Sequence, residues 1–384
     1  MYALLRAAIW PYFTYVQKFE HTVYKPKSKT YLVLTNHNTN WDFFYFGLSL
    51  KKQMYFVASE HIFRNGFSSK LIKLVAGPIP RRKGASGKET TELILKYLRE
   101  GSNVCMMADG NRSYNGRTEF ISPRTAQLVK DSGVGMITLC IHGGYFINPR
   151  WSSEVRKGPV WGGVVREFTA EELKKMSTDE IYDVICTDLS LNAYEDQEKA
   201  PVKYTCEHPA EHLETALFVC PGCKSFSTLK SENDRIRCTK CGMELLLNEY
   251  MYFEEPDGTR PELDTILKWD DWQLDYLRSV VSDIAPDEKI FSDTELKLTK
   301  VENGENHVLI HSGELTLYGD RMEICGEGRS ISFDVRKIEK ISVTLTSTML
   351  FTYDGGYYEL KSPKMYSARK YLITSRLLGG KKYI

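Results

Sequence analysis

The stretch "YLVLTNHNTNWDFF", residues 31–44, changes character twice over a short distance. It begins as an apolar run of strand-like composition, breaks into polar residues after Leu34, and resumes as a bulky apolar segment. A strand that breaks and passes into a helix is the repeating unit of α/β folds. The break also holds His37 and Asp42, so the fold and a candidate site meet in the same few residues.

The pattern recurs up to about residue 168. Strand-like runs, "YLVLTN", "MYFVAS", "NVCMMA" and "GMITLCI", alternate with helical segments such as "ETTELILKYLRE" and "SPRTAQLVKDSG". Because parallel strands need helical crossovers, we expect an α/β domain with a mostly parallel sheet flanked by helices. The polar breaks after Leu34, Ala76 and Ala108 would then share one edge of the sheet, where open α/β sheets usually bind ligands.

The remainder of the chain predicts further domains. Two capped helices should start near Thr169 and Ser177, followed by a cysteine-rich unit and the amphipathic helix "TILKWDDWQLDYLRSVV". From about Phe291, period-two runs separated by turn signals and closed by the helical "PKMYSARKYLITSRLL" predict an antiparallel β-barrel ending in a helix. The predicted domains are an α/β domain (1–200), a zinc ribbon (201–250), a helical linker (251–290) and a β domain (291–384).

Length and charge restrict the classes of function. The 384 residues exceed one average domain. Lys and Arg total 51 and Asp and Glu total 50, so the chain lacks the basic excess of proteins held mainly by nucleic-acid phosphates. We expect no nucleic-acid partner, and any basic patch must be local.

Cysteine usage and hydropathy address the compartment. Nine cysteines, an odd number, and no signal-peptide pattern argue against a disulfide framework and favour a reducing cytoplasm. No window has the run of about 18 apolar residues that a spanning helix needs. The N-terminal "MYALLRAAIWPYFTYVQKF" is rich in Trp and Tyr, and it either lies in a bilayer interface or packs on the domain. We expect a cytoplasmic protein peripheral to the inner face of the membrane.

His37 and Asp42 form a candidate base. The carboxylate is close enough in sequence to accept the imidazole N–H, which would fix the tautomer while the other ring nitrogen takes a proton from a hydroxyl. The alternative is an Asp that caps a helix beside a structural His.

The other two breaks are basic or glycine-rich. "GPIPRRKG" carries Arg81 and Arg82, and "ADGNRSYNGRT" carries Arg112 between a tight turn and a helix start. A guanidinium grips phosphate oxygens in pairs, and N–H groups of a Gly turn add to it. The alternative is that each arginine is a solvated loop charge.

"NHNTNWD", "GPIPRR" and "ADGNRS", in this order and each after a strand, resemble the motifs of the glycerolipid acyltransferases that include 1-acylglycerol-3-phosphate acyltransferase. The resemblance covers about residues 30–165. It implies a glycerol-3-phosphate acyltransferase-like fold, His37 and Asp42 as catalytic residues, and a glycerol phosphate held by the later motifs. The implied substrate-binding residues are Arg81, Arg82, Asp109, Gly110 and Arg112.

The sequence departs from this family at three points. Asp109 stands where the family usually has Glu, and Asn111 replaces the usual Thr. Compressed spacing leaves either Arg81 or Arg82 as the matching arginine. The fourth family block is represented by "ITLCIHGGY", in which His142 and two glycines substitute for an apolar strand ending near proline.

The resemblance implies an O-acyltransferase. His37 would deprotonate a lysophospholipid hydroxyl, most simply that of 1-acylglycerol-3-phosphate, which attacks an acyl thioester on coenzyme A or acyl carrier protein to give phosphatidate. Two alternatives stay open: a catalytically weak lipid-binding scaffold at the membrane, and a thioesterase or lysophospholipase that delivers water with the same pair. Cys105 and Cys140 lie in strand-like apolar runs, which favours core thiols over acylated intermediates.

Two CxxC knuckles, "CPGC" and "CTKC", predict a structural zinc ribbon with Cys220, Cys223, Cys238 and Cys241 as ligands. Four thiolates leave no open coordination position, so the metal should stabilise the fold. A redox dithiol is the alternative. Cys206 and His208 do not fit the spacing of either knuckle.

Two further expectations concern the surroundings of the site and the end of the chain. Arg150, Arg156 and Lys157 in "NPRWSSEVRKG" either rim the anionic site or belong to a surface loop. The final strands and helix resemble the pleckstrin-homology or GRAM class in pattern. We expect a protein partner for the zinc ribbon or for this domain.

Overall fold

The computed structural model describes residues 2–60, 77–81, 87–302 and 306–380. These residues form two compact units. The first contains the described residues up to Cys206 except Trp151–Ser153, and the second contains Trp151–Ser153 and the described residues from Glu207 onward. The finer predicted division at residues 200, 250 and 290 stays a prediction.

The first unit is built on a seven-stranded sheet in the order β1-β7-β6-β2-β5-β3-β4. Only the β6–β7 pair is antiparallel among the pairs of this sheet in the described part of the chain, so the predicted mostly parallel α/β sheet is confirmed. The strands are β1 (Phe19–His21), β2 (Tyr31–Thr35), β3 (Met54–Ser59), β4 (Ile79–Arg81), β5 (Asn103–Met107), β6 (Gly135–His142) and β7 (Val160–Phe168).

Helices cover the faces of this sheet. The helices are α1 (Tyr2–Pro11), continued by a π-helical turn (Tyr12–Val16), α2 (Asp42–Ser49), α3 (Lys88–Arg99), α4 (Arg124–Ser132), α5 (Gly144–Ile147), α6 (Ala170–Lys175), α7 (Thr178–Leu189) and α8 (Ala193–Lys199). The predicted helix starts at Thr169 and Ser177 are confirmed, each with a complete capping box. Ile181, Ile185 and Leu189 of α7 are spaced at four residues and fully buried, which packs one face of that helix on the core.

Strand β2 lies in the middle of the sheet, and all five of its residues are buried. Its neighbours β5 and β6 run parallel to it, with Thr35 paired to Met107 on one side and to Leu139 on the other. The carboxyl ends of these strands therefore meet at one edge. Since β7 is antiparallel to β6, the loop that joins them also lies at this edge.

The second break departs from the sequence prediction. Residues 79–81 are not a loop but the short edge strand β4, which pairs with β3. Pro80 is compatible with this position, because the outer side of an edge strand needs no donor. Arg81 is thus the last residue of a strand rather than a loop residue.

The second unit contains two antiparallel sheets. A four-stranded sheet has the order β11-β10-β9-β8, and a seven-stranded sheet has the order β15-β14-β13-β12-β18-β17-β16. The strands are β8 (Leu229–Glu232), β9 (Arg235–Cys238), β10 (Glu244–Leu247), β11 (Phe253–Glu254), β12 (Lys289–Glu302), β13 (Asn306–Tyr318), β14 (Arg321–Gly326), β15 (Arg329–Asp334), β16 (Ile338–Thr344), β17 (Thr348–Tyr353) and β18 (Gly356–Lys361). The antiparallel strands predicted from residue 291 are therefore present.

Two helices join the parts of the second unit. They are α9 (Ile266–Asp283), which coincides with the predicted amphipathic helix, and the terminal α10 (Ala368–Leu378). Arg369 of α10 makes a two-pronged ion pair with Asp270 of α9, at 2.5 and 2.8 Å, and also donates to the carbonyl of Ala216. Both side chains of the ion pair are more than nine-tenths buried.

This ion pair generates a stability prediction. Arg369→Met should destabilise the protein by about 3–5 kcal/mol, because it leaves the carboxylate of Asp270 buried without its cation. Arg278→Met removes the exposed pair with Asp275 and should cost about 0.5 kcal/mol. Denaturant unfolding followed by circular dichroism measures both. Equal midpoints for the two variants would contradict the prediction.

Candidate active site

His37 and Asp42 are in direct contact. The Nδ1 of His37 lies 2.8 Å from Oδ2 of Asp42. A carboxylate only accepts, so the imidazole carries its proton on Nδ1 and presents Nε2 as the basic nitrogen. The side chain of His37 is 21% exposed whereas that of Asp42 is 2% exposed, so the pair has one buried end and one accessible end.

The same carboxylate folds the loop between β2 and α2. Oδ2 of Asp42 also accepts the backbone N–H groups of Asn38, at 2.8 Å, and Thr39, at 3.1 Å. Asp42 is the first residue of α2, where the helix dipole favours negative charge. The capping interpretation and the catalytic-pair interpretation are therefore compatible, because one oxygen both closes the turn and orients the imidazole.

Asn36 ties this loop to the neighbouring strand. Its side chain donates to the carbonyl of Ile141, at 2.8 Å, and accepts the N–H of Ile141, at 3.0 Å. Asn38 donates to the same carbonyl at 3.2 Å. Sequence reasoning missed this role; the signal it could have used is the pair of asparagines that flanks His37.

The turn after β6 also approaches the loop. A Cβ added to Gly144 would lie 3.3 Å from Cγ2 of Thr39 and 3.8 Å from Oδ1 of Asp42. The glycine therefore allows α5 to begin close to the His37 loop. This gives a physical reason for one of the two glycines in the altered fourth block.

The third loop holds the backbone of His37 from the other side. Oδ2 of Asp109 accepts the N–H of His37 at 3.2 Å, and the N–H of Ser113 donates to the carbonyl of His37 at 3.0 Å. Gly110 has a φ of +67°, and its N–H bonds the carbonyl of Met107, which makes the tight turn between these contacts. Asp109 and Gly110 thus build the loop around His37. The substrate contacts that the sequence resemblance implied for both residues stay a prediction.

Asp109 is itself in an unusual environment. The residue is 7% exposed, and this burial raises the pKa of its carboxyl well above the usual range. The negative charges of Glu119 and Asp42 raise the pKa further. These effects favour the neutral carboxyl, so Asp109 adds less negative charge beside His37 than an exposed aspartate would.

Arg112 lies beside this loop with neutral partners. Its Nη1 donates to Oδ1 of Asn148 at 3.1 Å and approaches the carbonyl of the same residue at 3.4 Å. Burial, and after it the positive charge of Arg150, lower the pKa of Arg112 to about 10, while the nearby carboxylate of Asp42 opposes both. Arg112 and Asp42 are therefore close neighbours at the carboxyl edge of the sheet.

The two arginines of the second break are placed differently. Arg81 ends the edge strand β4, and three strand spacings, about 14 Å, separate β4 from β2. A Cβ added to Gly87 would lie 3.5 Å from Nη2 of Arg81, so the guanidinium lies next to the start of α3. Arg82 lies outside the described residues. A substrate-binding role for either arginine stays a prediction.

The two thiols of the sheet are core residues, as predicted. Cys105 is 0% exposed and Cys140 is 4% exposed. Burial raises the pKa of both thiols, so neither side chain forms a thiolate easily at neutral pH. Neither is suited to carry an acyl group.

A second constellation lies in the second unit. Cys220 is 3.6 Å from Cys241, and Cys223 is 3.7 Å from Cys238, measured between sulfur atoms. All four sulfurs lie within 4.8 Å of one another, and this quartet is the one such cluster in the described part of the chain. A tetrahedral zinc with bonds of about 2.3 Å needs sulfur separations of about 3.8 Å, so the quartet fits the metal. His208 instead bonds Asn233.

Comparisons with known proteins give a family match, which lies in the first unit, and a structural similarity. Residues 17–142 match the model of the family described as Acyltransferase. Among solved structures, the chain is similar to the 1-acyl-sn-glycerophosphate (LPA) acyltransferase PlsC of Thermotoga maritima, with 15% identity and a TM-score of 0.40 over 49% of this chain and 78% of that one. No curated protein sequence matches the chain.

Proposed function

We propose that the chain is an O-acyltransferase, because residues 17–142 match the model of the family described as Acyltransferase. It moves a fatty acyl group from acyl-CoA or acyl-carrier protein to the hydroxyl of a lysophospholipid. The acceptor that fits best is 1-acylglycerol-3-phosphate, and the product is then phosphatidate. The contact of 2.8 Å between His37 and Asp42, at the same sheet edge as Arg112, is the observation that carries the proposal.

His37 acts as the general base. Its Nε2 takes the proton of the acceptor hydroxyl as the oxygen attacks the thioester carbonyl, while Asp42 stabilises the imidazolium that forms. Collapse of the tetrahedral intermediate breaks the carbon–sulfur bond, and the imidazolium returns its proton to the leaving thiolate. The acyl group passes directly from sulfur to oxygen, which agrees with the burial of Cys105 and Cys140.

Arg112 provides the anchor for the acceptor. Within the part of the chain that the structure describes, the guanidinium of Arg112 bonds the neutral oxygens of Asn148, which leaves donor groups for a phosphate. The backbone of His37 is held by the same loop that carries Arg112. The acceptor phosphate and hydroxyl are therefore oriented by one rigid group of residues.

Substitution of the base tests the chemistry. His37→Ala should lower the rate of transfer from acyl-CoA to lysophosphatidate at least about 10³-fold, and Asp42→Asn should lower it by about 10²- to 10⁴-fold, because the imidazole loses its tautomer and its counter-charge. A radiolabelled or mass-spectrometric acyl-transfer assay measures both.

His21→Ala is the matched control, because it removes a partly buried imidazole of the same domain that stacks on Phe19. It should leave the rate within about 3-fold of the original. Full turnover in His37→Ala would refute the assignment. Release of free fatty acid at an equal rate with and without acceptor would show that the reaction is thioester hydrolysis rather than acyl transfer.

We also propose that the N-terminal segment contacts the membrane. No helix among the described residues is long and apolar enough to cross a bilayer. Helix α1 has no fully buried residue, and its surface and the following turn expose large apolar side chains. These are Leu4 (76% exposed), Trp10 (40%), Tyr12 (41%), Tyr15 (70%) and Val16 (54%). Phe43 of α2, also 40% exposed, extends this aromatic surface toward the His37 loop.

The interfacial interpretation predicts a local effect on membrane binding. Leu4→Ser combined with Tyr15→Ser should weaken sedimentation with phosphatidylglycerol-containing vesicles by about 10-fold or more, since each large apolar side chain contributes about 1.5–3 kcal/mol. The matched control is Leu345→Ser with Tyr250→Ser, which removes equally sized exposed side chains from the second unit. An equal loss of vesicle binding in both double variants would refute the proposal that the N-terminal segment is the membrane contact. The odd number of cysteines, nine, argues against a disulfide framework and supports the cytoplasmic side.

We propose that the four cysteines hold one structural zinc. Cys220, Cys223, Cys238 and Cys241 would supply all four ligands, and the metal would stabilise the turns of the knuckles. Catalysis stays with the first unit.

Residues 291–384 are proposed as a pleckstrin-homology or GRAM-like domain, supported by the seven antiparallel strands followed by α10. Cross-linking mass spectrometry of the intact chain would locate a protein partner on this unit.

Elemental analysis tests the metal. The intact protein should contain one zinc per chain, and Cys220→Ser should lose the metal and lower the unfolding midpoint, because binding free energy of a structural zinc is folding free energy. Cys325→Ser, an exposed cysteine outside the quartet, should retain full zinc content. Metal-free protein whose knuckle thiols form disulfides reversibly would favour the redox interpretation instead.

A further inference from the structure

Two arginines meet behind the candidate phosphate site. Nη1 of Arg150 donates to the backbone carbonyl of Arg112 at 3.4 Å, and its guanidinium stacks at 4.3 Å over the ring of Tyr114. Arg150 is 4% exposed, while Arg112 keeps part of its side chain accessible. Arg112 is therefore the outer cation of the pair, which can touch a ligand, and Arg150 is the inner cation, which is held in place.

The arrangement is electrostatically unfavourable by itself. The positive charge of Arg150 is, after burial, the largest influence that lowers the pKa of Arg112. Like charges this close raise the energy of each other in a partly desolvated site. An anion bound at Arg112 would relieve that repulsion, and an anion with two charges would relieve it more than one with a single charge.

Two carboxyl groups near the arginine pair are either engaged in other hydrogen bonds or biased toward the neutral form. Asp42 is the acid that raises the pKa of Arg112, but its Oδ2 already accepts three hydrogen bonds from His37, Asn38 and Thr39. Asp109 is biased toward its neutral form. Glu154 lies in the same loop as Arg150, where its negative charge raises the pKa of Arg156.

We propose that Arg150 is a positioning residue that sets the charge preference of the acceptor site. By placing a second positive charge behind Arg112, it makes the site select a lysolipid with a phosphate monoester, which reaches two negative charges, over one with a phosphodiester, which carries one. This inference rests on the proposed acyl transfer to a lysophospholipid. Arg150 acts through the field at Arg112 and does not itself touch the acceptor.

Competition between two acceptors measures this preference. Intact protein is given acyl-CoA with equal amounts of lysophosphatidate and lysophosphatidylglycerol in mixed micelles, and the ratio of the two acylated products is determined by mass spectrometry. Because both acceptors compete for the same enzyme, the ratio is independent of enzyme concentration, of the folded fraction and of the donor step.

The pH dependence in unsubstituted protein is the first readout. The second pKa of a phosphate monoester is about 6, so its dianion grows from about a quarter to nearly all of the acceptor between pH 5.5 and 7.5, and the ratio of phosphatidate to phosphatidylglycerol should rise about 3- to 4-fold. Any requirement for a neutral His37 affects both acceptors equally and cancels. A ratio that is flat with pH would overturn the proposal without any substitution.

Substitution of Arg150 separates charge from packing. Arg150→Gln should lower the product ratio at pH 7.5 about 10-fold and flatten its pH dependence, whereas Arg150→Lys should keep the ratio within about 3-fold because the charge remains. A purely structural role would be lost in both variants, since lysine has neither the planar fork nor the same stacking on Tyr114. Arg124→Gln, an exposed arginine at the start of α4, is the control and should leave the ratio unchanged.

Each other outcome is decisive. An unchanged ratio in Arg150→Gln, an equal fall in the Gln and Lys variants, or a uniform loss of both products would overturn the role of Arg150. If the unsubstituted protein acylates neither acceptor, the proposed function fails first, and this is a distinct result. If it acylates both with no preference for the monoester at pH 7.5, acyl transfer stands and the selectivity proposal fails.

Discussion

One carboxylate oxygen of Asp42 accepts three hydrogen bonds, from the imidazole of His37 and from the backbone of Asn38 and Thr39. A charge that is almost fully buried must be satisfied in this way, since an unpaired carboxylate in the interior is very costly. The same three bonds close the turn after β2, start α2 and set the direction of the ring. Loop conformation and candidate chemistry therefore have a single cause.

The loops at the sheet edge support one another through backbone contacts. The third loop brackets the peptide of His37 through Asp109 and Ser113, and the turn after β6 approaches closely because of Gly144. Arg112 is then fixed by Asn148 from the loop between β6 and β7. Such mutual restraint would hold the proposed base and the proposed anion-binding cation in one geometry before a ligand arrives, which is how preorganised sites lower barriers.

The second unit has a separate physical basis. Its four cysteines approach one another at tetrahedral spacing, and the buried pair of Arg369 with Asp270 joins its two helices. In this unit His307 lies 4.0 Å from Glu359 and His208 lies 3.9 Å from Glu207, longer contacts than the 2.8 Å between His37 and Asp42. The proposed division of labour follows: metal and ion pair stabilise this unit, and the candidate chemistry belongs to the first.

The sequence by itself determined what depends on local pattern. Alternating runs predicted the parallel sheet, two knuckles predicted the four-cysteine cluster, and the spacing of His37 and Asp42 predicted their contact, because each lies within a few residues or follows a fixed period. Only the tertiary structure decided that Asp109 holds the backbone of His37, that Asn36 bonds strand β6, and that Arg150 stands behind Arg112. These contacts depend on strand order and register, which bring together residues that no local pattern connects.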